Sequence, residues 1–187
     1  MEFTLYYRGN LNANGSRKDK HSLRLHFSRQ LHELWRNKAD RPDVFYRALP
    51  DISKDSFSKL VGPLRFAALV SKGQVAELDI TMLRPEAPGS IISKGGDIDN
   101  RIKTLLDGLR VPASGDELPD GLADDQDVLM CLLEDDRLVT QLTVRTQQLL
   151  EPGADGALVV LLVGVRTKKL SDIDPYIPHR GLGGGDV

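Results

Sequence analysis

Asp97-Ile98-Asp99-Asn100-Arg101-Ile102-Lys103-Thr104-Leu105-Leu106-Asp107-Gly108-Leu109 sets Ile98, Ile102, Leu105, Leu106 and Leu109 at helical spacing. Apolar residues recurring every three or four positions define a helix with one face to bury. Gly95-Gly96 feeds this helix from a loop, and Gly108 and Pro112 are expected to end it. The same stretch carries its acids on the other side. Asp97 and Asp99 sit at the helix start, and Lys103 and Asp107 follow Asp99 at steps of four.

Working outward, a second helix is expected from a cap at Ser22 to about Lys38. Its stripe is Leu23, Phe27, Leu31, Leu34 and Trp35, with Arg29, His32 and Arg36 on the outer face. Strands are expected at 2–8, 64–70, 75–83, 128–133, 138–149 and 157–165, where apolar and β-branched residues alternate or cluster between turn formers. Ser71-Lys72-Gly73-Gln74 and Pro152-Gly153-Ala154-Asp155-Gly156 read as hairpin turns, as does the acidic Glu134-Asp135-Asp136. A short helix is expected around Lys54 to Leu60. Gly9 to His21 and the acidic stretch 111–125 read as loops. The expected fold is α+β: a mostly antiparallel or mixed sheet with two main helices packed on it. One domain spans 1–167, followed by a glycine-rich tail over 168–187 that is expected to be flexible.

Composition bounds the class. At 187 residues, with 40% hydrophobic and 28% charged, the chain can bury a core and does not read as disordered. No apolar run approaches the roughly 20 residues a membrane helix needs. No basic-then-apolar leader opens the sequence, and the single cysteine, Cys131, excludes an internal disulfide. The expectation is a cytoplasmic protein without a membrane partner. Net charge is −2 but unevenly spread: residues 1–50 come to +5 and residues 97–136 to −9. A basic segment can guide a phosphate backbone while an acidic one holds a metal ion. Two solvated faces of opposite sign would look the same.

The acids have two readings. An aspartate at a helix start accepts backbone N–H bonds and suits the positive helix end, worth roughly 0.5–2 kcal/mol. One aspartate suffices for that task, and two close carboxylates are eased by a cation between them. Mg²⁺ takes oxygen ligands of this kind, together with substrate phosphate. Lys103 could form ordinary i,i+4 ion pairs with Asp99 and Asp107. It could instead neutralise charge developing on a scissile phosphate.

Asp97-Ile98-Asp99-Asn100, Lys103 and Asp107-Gly108-Leu109, followed by Asp124-Asp125-Gln126-Asp127-Val128, resemble the RusA-type Holliday junction resolvases. That family has D-x-D-N-x-x-K-x-x-x-D-x-L on a helix and then D-D-x-x-V at a strand start. The resemblance covers roughly residues 75–133. It implies a RusA-like α+β fold, a homodimer and Mg²⁺-dependent endonuclease activity on branched DNA, with Mn²⁺ a second usable ion. It also implies metal binding by Asp97, Asp99 and Asp125, with Lys103 completing the catalytic set. DNA contact is expected from Arg17, Lys18, Lys20 and Arg24. Two alternatives share the fold: a nuclease acting on other DNA or RNA structures, and a catalytically silent binding module.

Overall fold

The computed structural model describes residues 1–36, 58–86, 98–122 and 125–172, with only the backbone for residues 125–127 and 172. In chain order the elements are β1 (Glu2–Asn10), α1 (Arg17–Arg36), β2 (Ser58–Val61), β3 (Leu64–Val70), β4 (Gln74–Arg84), α2 (Ile98–Leu109), β5 (Asp125–Leu133), β6 (Val139–Gln148) and β7 (Leu158–Lys169). The architecture is α+β, two helices packed on mixed sheets. No helix among the described residues is long and apolar enough to cross a membrane.

The strands divide between two sheets. One has the order β1-β7-β4-β6 and the other β2-β3-β5. Pairs β1–β7, β4–β7 and β2–β3 are antiparallel, whereas β4–β6 and β3–β5 are parallel. The three expected hairpins are therefore corrected. The turn after Val70 carries the chain from one sheet to the other, and β4 lies between β6 and β7. Glu134-Asp135-Asp136 likewise bridges the sheets: Asp135 accepts the Arg137 N–H at 2.9 Å and caps a 3-10 turn at Asp136–Leu138. Alternating sequence identifies a strand but leaves its neighbour open, and parallel pairs need crossovers that local turns do not announce.

Other boundaries also move. The first helix begins at Arg17, five residues before the expected Ser22 cap. Ser16 and Asp19 form a reciprocal cap: Ser16 Oγ accepts the Asp19 N–H at 3.2 Å, and the Asp19 carboxylate accepts the Ser16 N–H at 2.8 Å. Residues 58–60 of the expected short helix form part of β2, and its earlier residues lie outside the described set. The last strand reaches Lys169, so the first residues of the expected tail belong to the sheet, and residues 173–187 lie outside the described set.

As expected, α2 ends between Gly108 and Pro112, at Leu109. A Cβ on Gly108 would lie 2.8 Å from the Leu23 Cβ, so this glycine lets α2 approach α1 closely.

The main core joins Leu23, Phe27 and Leu31 of α1 and Ile102, Leu105 and Leu109 of α2 to inward residues of both sheets, including Leu5, Leu78, Ile80, Leu161, Val163, Ala67, Leu69 and Met130. The opposite face of the three-stranded sheet buries Phe66, Ala68 and Cys131 under Val111 and Leu118 from the acidic loop.

Helix α1 also closes two sheet edges. The Tyr6 N–H of β1 donates to Gln30 Oε1 at 2.9 Å, and the Tyr6 carbonyl accepts from Gln30 Nε2 at 2.7 Å and His26 Nε2 at 2.9 Å. On β5, the Met130 N–H donates to Ser28 Oγ at 2.9 Å and the Val128 carbonyl accepts from His32 Nε2 at 2.8 Å. Side chains thus satisfy strand groups that would otherwise invite another chain.

Candidate metal and nucleic-acid site

Four residues were expected at the catalytic centre. Asp99 occupies the first turn of α2, and Lys103 follows one turn later; both are exposed. Asp97 lies outside the described residues. Asp125 opens β5, opposite Leu64 in the parallel pair with β3, and its side chain lies outside the described set. The β3–β5 register shifts immediately after that pair, since the next residue, Arg65, pairs with Val128. This irregularity, which leaves Gln126 and Asp127 without a β3 partner, falls where the second acidic motif begins, and such breaks in pairing are common near functional sites. Among the described residues, no three His, Cys, Asp or Glu side chains are grouped to hold a metal ion.

Asp107 has a different environment from the exposed pair. Only 9% of its side chain is exposed; Lys20 Nζ lies 2.8 Å from Oδ2 and Arg110 Nη2 2.9 Å from Oδ1. Arg110 Nη2 also meets Glu117 Oε1 at 3.1 Å. Burial alone would raise the Asp107 carboxyl, but the Lys20 and Arg110 cations outweigh it and hold the group below the ordinary carboxylate range. Of the two readings of Lys103, the ion pair with Asp107 is not formed: among the described residues Asp107 is held by Lys20 and Arg110. This network ties the end of α2 to α1 and to the acidic loop. The sequence offered a partial clue in the i,i+3 spacing of Asp107 and Arg110. Lys20 was hidden by a distance of 87 positions.

Of the four expected DNA contacts, three are engaged within the fold. Arg24 is corrected outright: it is 1% exposed, and its guanidinium donates from Nη2 to the Asp107 carbonyl at 2.8 Å and from Nε to the Arg110 carbonyl at 3.2 Å. A buried guanidinium committed to two carbonyls cannot grip a phosphate backbone. Lys20 is the Asp107 partner, and Arg17 forms two bonds to the Asp120 carboxylate, at 3.1 and 3.0 Å. Lys18 is exposed. Much of the expected attraction between basic and acidic segments is therefore spent inside the molecule.

Two further contacts orient the start of α2. Thr104 Oγ1 accepts the Gly15 N–H at 2.9 Å while donating to the Asn100 carbonyl at 3.0 Å. Arg101 Nη1 donates to the Leu11 carbonyl beyond β1. The turn bearing Asp99 and Lys103 is thereby fixed to the loop that precedes α1.

Burial pushes the Cys131 thiol up to about 12, so it is an inert core group under ordinary conditions. No family model, curated protein or solved structure matches the chain.

Proposed function

We propose that the chain is a Mg²⁺-dependent endonuclease of RusA type, acting as a homodimer on branched DNA. The observation that carries this reading is a contrast along one helical stripe. Asp107 is buried and neutralised by two cations, whereas Asp99 and Lys103 stay exposed one turn apart on a helix start fixed by Thr104 and Arg101. An exposed acid and lysine on a turn held in place by its neighbours are accessible to a ligand.

The donor chemistry fits a hard cation, since Asp97, Asp99 and Asp125 offer only carboxylate oxygens. Once bound, such an ion activates water and offsets charge on the scissile phosphate. In this reading the Asp99 carboxylate helps hold the ion. Lys103 places a positive charge beside the phosphate, where it favours the more highly charged transition state. The break in pairing beside Asp125 supports its role as the strand-borne ligand.

The test is cleavage of four-way junction, flap, single-stranded and duplex DNA in Mg²⁺ or Mn²⁺, with Asp99→Asn as control. Junction nicking lost in the variant is the expected result. No cleavage of any substrate by the unaltered protein would sink the proposal. A second reading, cutting of other DNA or RNA structures, draws support from the internal engagement of Arg17, Lys20 and Arg24. Flap or single-strand cutting without junction cutting would favour it.

A further inference from the structure

The four terminal strands of the two sheets are treated unequally. Helix α1 covers β1 and β5 through Gln30, His26, Ser28 and His32. The third, β2, has only four residues, too short to template much pairing. The fourth, β6, has ten residues, and among the described residues no strand or helix side chain meets its outer edge. It contains no proline and no lysine, and its one charged residue, Arg145, is bonded to Asp79 at 2.7 Å. Apart from a register shift at Thr140, near the start of the strand, the usual devices against edge pairing are missing from this edge among the described residues.

Backbone direction follows from the ladder. Arg84 pairs with Gln148, and its carbonyl accepts the Leu149 N–H at 2.6 Å, so odd-numbered residues at this end turn their backbone groups toward β4. Within the unbroken register from Gln141 to Gln148, the even-numbered residues Leu142, Val144 and Thr146 present N–H and C=O outward. Their side chains share the sheet face of Leu78, Ile80 and Met82, the core side. Leu142 is nevertheless 42% exposed, because the core does not extend over it.

We infer that β6 pairs with β6 of a second copy, antiparallel across a two-fold axis at Thr143. In that register Leu142 faces Val144 of the other copy, and the symmetric pair repeats the match. Thr143 faces Thr143, and Gln141 faces Arg145. Leu142 and Val144 meet on the core face, the polar residues Gln141, Thr143 and Arg145 meet on the other, and no like charges oppose. Outward N–H and C=O groups of Leu142 and Val144 are satisfied reciprocally, as an isologous contact requires. The two four-stranded sheets become one continuous eight-stranded sheet. This inference concerns how two copies meet and stands whether or not the chain cuts DNA.

Sedimentation equilibrium of the full chain, together with Thr143→Cys and Thr143→Lys, tests it. The expected mass is twice the 20.7 kDa chain. Thr143→Cys should form a disulfide-linked dimer under mild oxidation, because the residue faces itself across the axis. Gln147→Cys, which does not face itself across the axis, should cross-link at least tenfold less. Two opposed lysines in Thr143→Lys should shift the chain to monomer while its circular dichroism stays unchanged. A monomeric unaltered chain at tens of micromolar would overturn the inference. So would a dimer that persists in Thr143→Lys, or one in which Thr143→Cys cross-links no better than Gln147→Cys.

Discussion

Lys20 Nζ lies 2.8 Å from Asp107 Oδ2, joining the first turn of α1 to the last turn of α2 across 87 positions of sequence. Arg110 holds the other oxygen of the same carboxylate at 2.9 Å. The carboxylate is therefore a structural joint between the helices, even though it falls within the stripe that also bears Asp99 and Lys103.

Asp107→Ala should destabilise the fold by about 2–3 kcal/mol, because it leaves Lys20 without its anion and Arg110 with only Glu117. Urea unfolding measures this. A stability change below about 0.5 kcal/mol would show that the joint contributes little.

The same carboxylate predicts a pH dependence. Its folded-state value is depressed, so its contribution is fully present above the unfolded-chain value near 4 and is lost as pH falls through the lower folded value. Stability of the unaltered protein should fall more steeply below about pH 4 than that of Asp107→Asn. Parallel acid-unfolding curves would assign the acid sensitivity to other groups.

Asp99→Asn and Lys103→Ala change exposed side chains, and each should shift stability by less than about 0.5 kcal/mol. If the proposed nuclease site is correct, each should also lower the cleavage rate by roughly 10²-fold or more, the scale of losing one charge-stabilising group. The two measurements separate chemistry from folding. Loss of rate with an equal loss of stability would speak for a structural role.

Arg24→Met and Lys18→Glu should part company. The first removes a buried guanidinium that satisfies two carbonyls, and should cost about 2 kcal/mol of stability. The second alters an exposed residue, leaving stability within about 0.5 kcal/mol, and should weaken DNA binding and reduce its salt slope. Binding isotherms at several salt concentrations check it. Equal salt slopes for Lys18→Glu and the unaltered chain would place the DNA path elsewhere.

Gly108→Ala should destabilise by about 1–3 kcal/mol, since the added carbon meets Leu23 at 2.8 Å and forces the helices apart. Alanine is otherwise the better helix former, so a stabilised variant in thermal unfolding would show that the crossing relaxes freely.

Sequence periodicity was enough for α2, whose stripe from Ile102 to Leu109 is regular, and for the positions of β3, β4 and β7. It did not reveal which strands pair. Val70 and Gln74 are separated by a turn that looks like a hairpin, yet the two strands belong to different sheets; the deciding information is the distant β4–β7 register. The α1 start was misplaced because Asn10, Asn12 and Asn14 draw attention as turn formers while the Ser16–Asp19 cap spans only three positions. Among the candidate residues, the placement of Asp99 and Lys103 one turn apart on α2 was legible from spacing. Arg24 was not, because a long cation beside an apolar stripe looks the same whether its head reaches solvent or folds back under the helix.

Because α1 covers an edge on each sheet, its loss would do more than remove one element. Detaching this single helix would uncover β1 and β5 together, giving a partly unfolded chain two new sticky borders besides β6. Such a species could polymerise in more than one direction. Concentration-dependent precipitation during mild heating, at temperatures where the sheets remain intact, is the behaviour this arrangement favours, and the cap at Ser16 is where resistance to it begins.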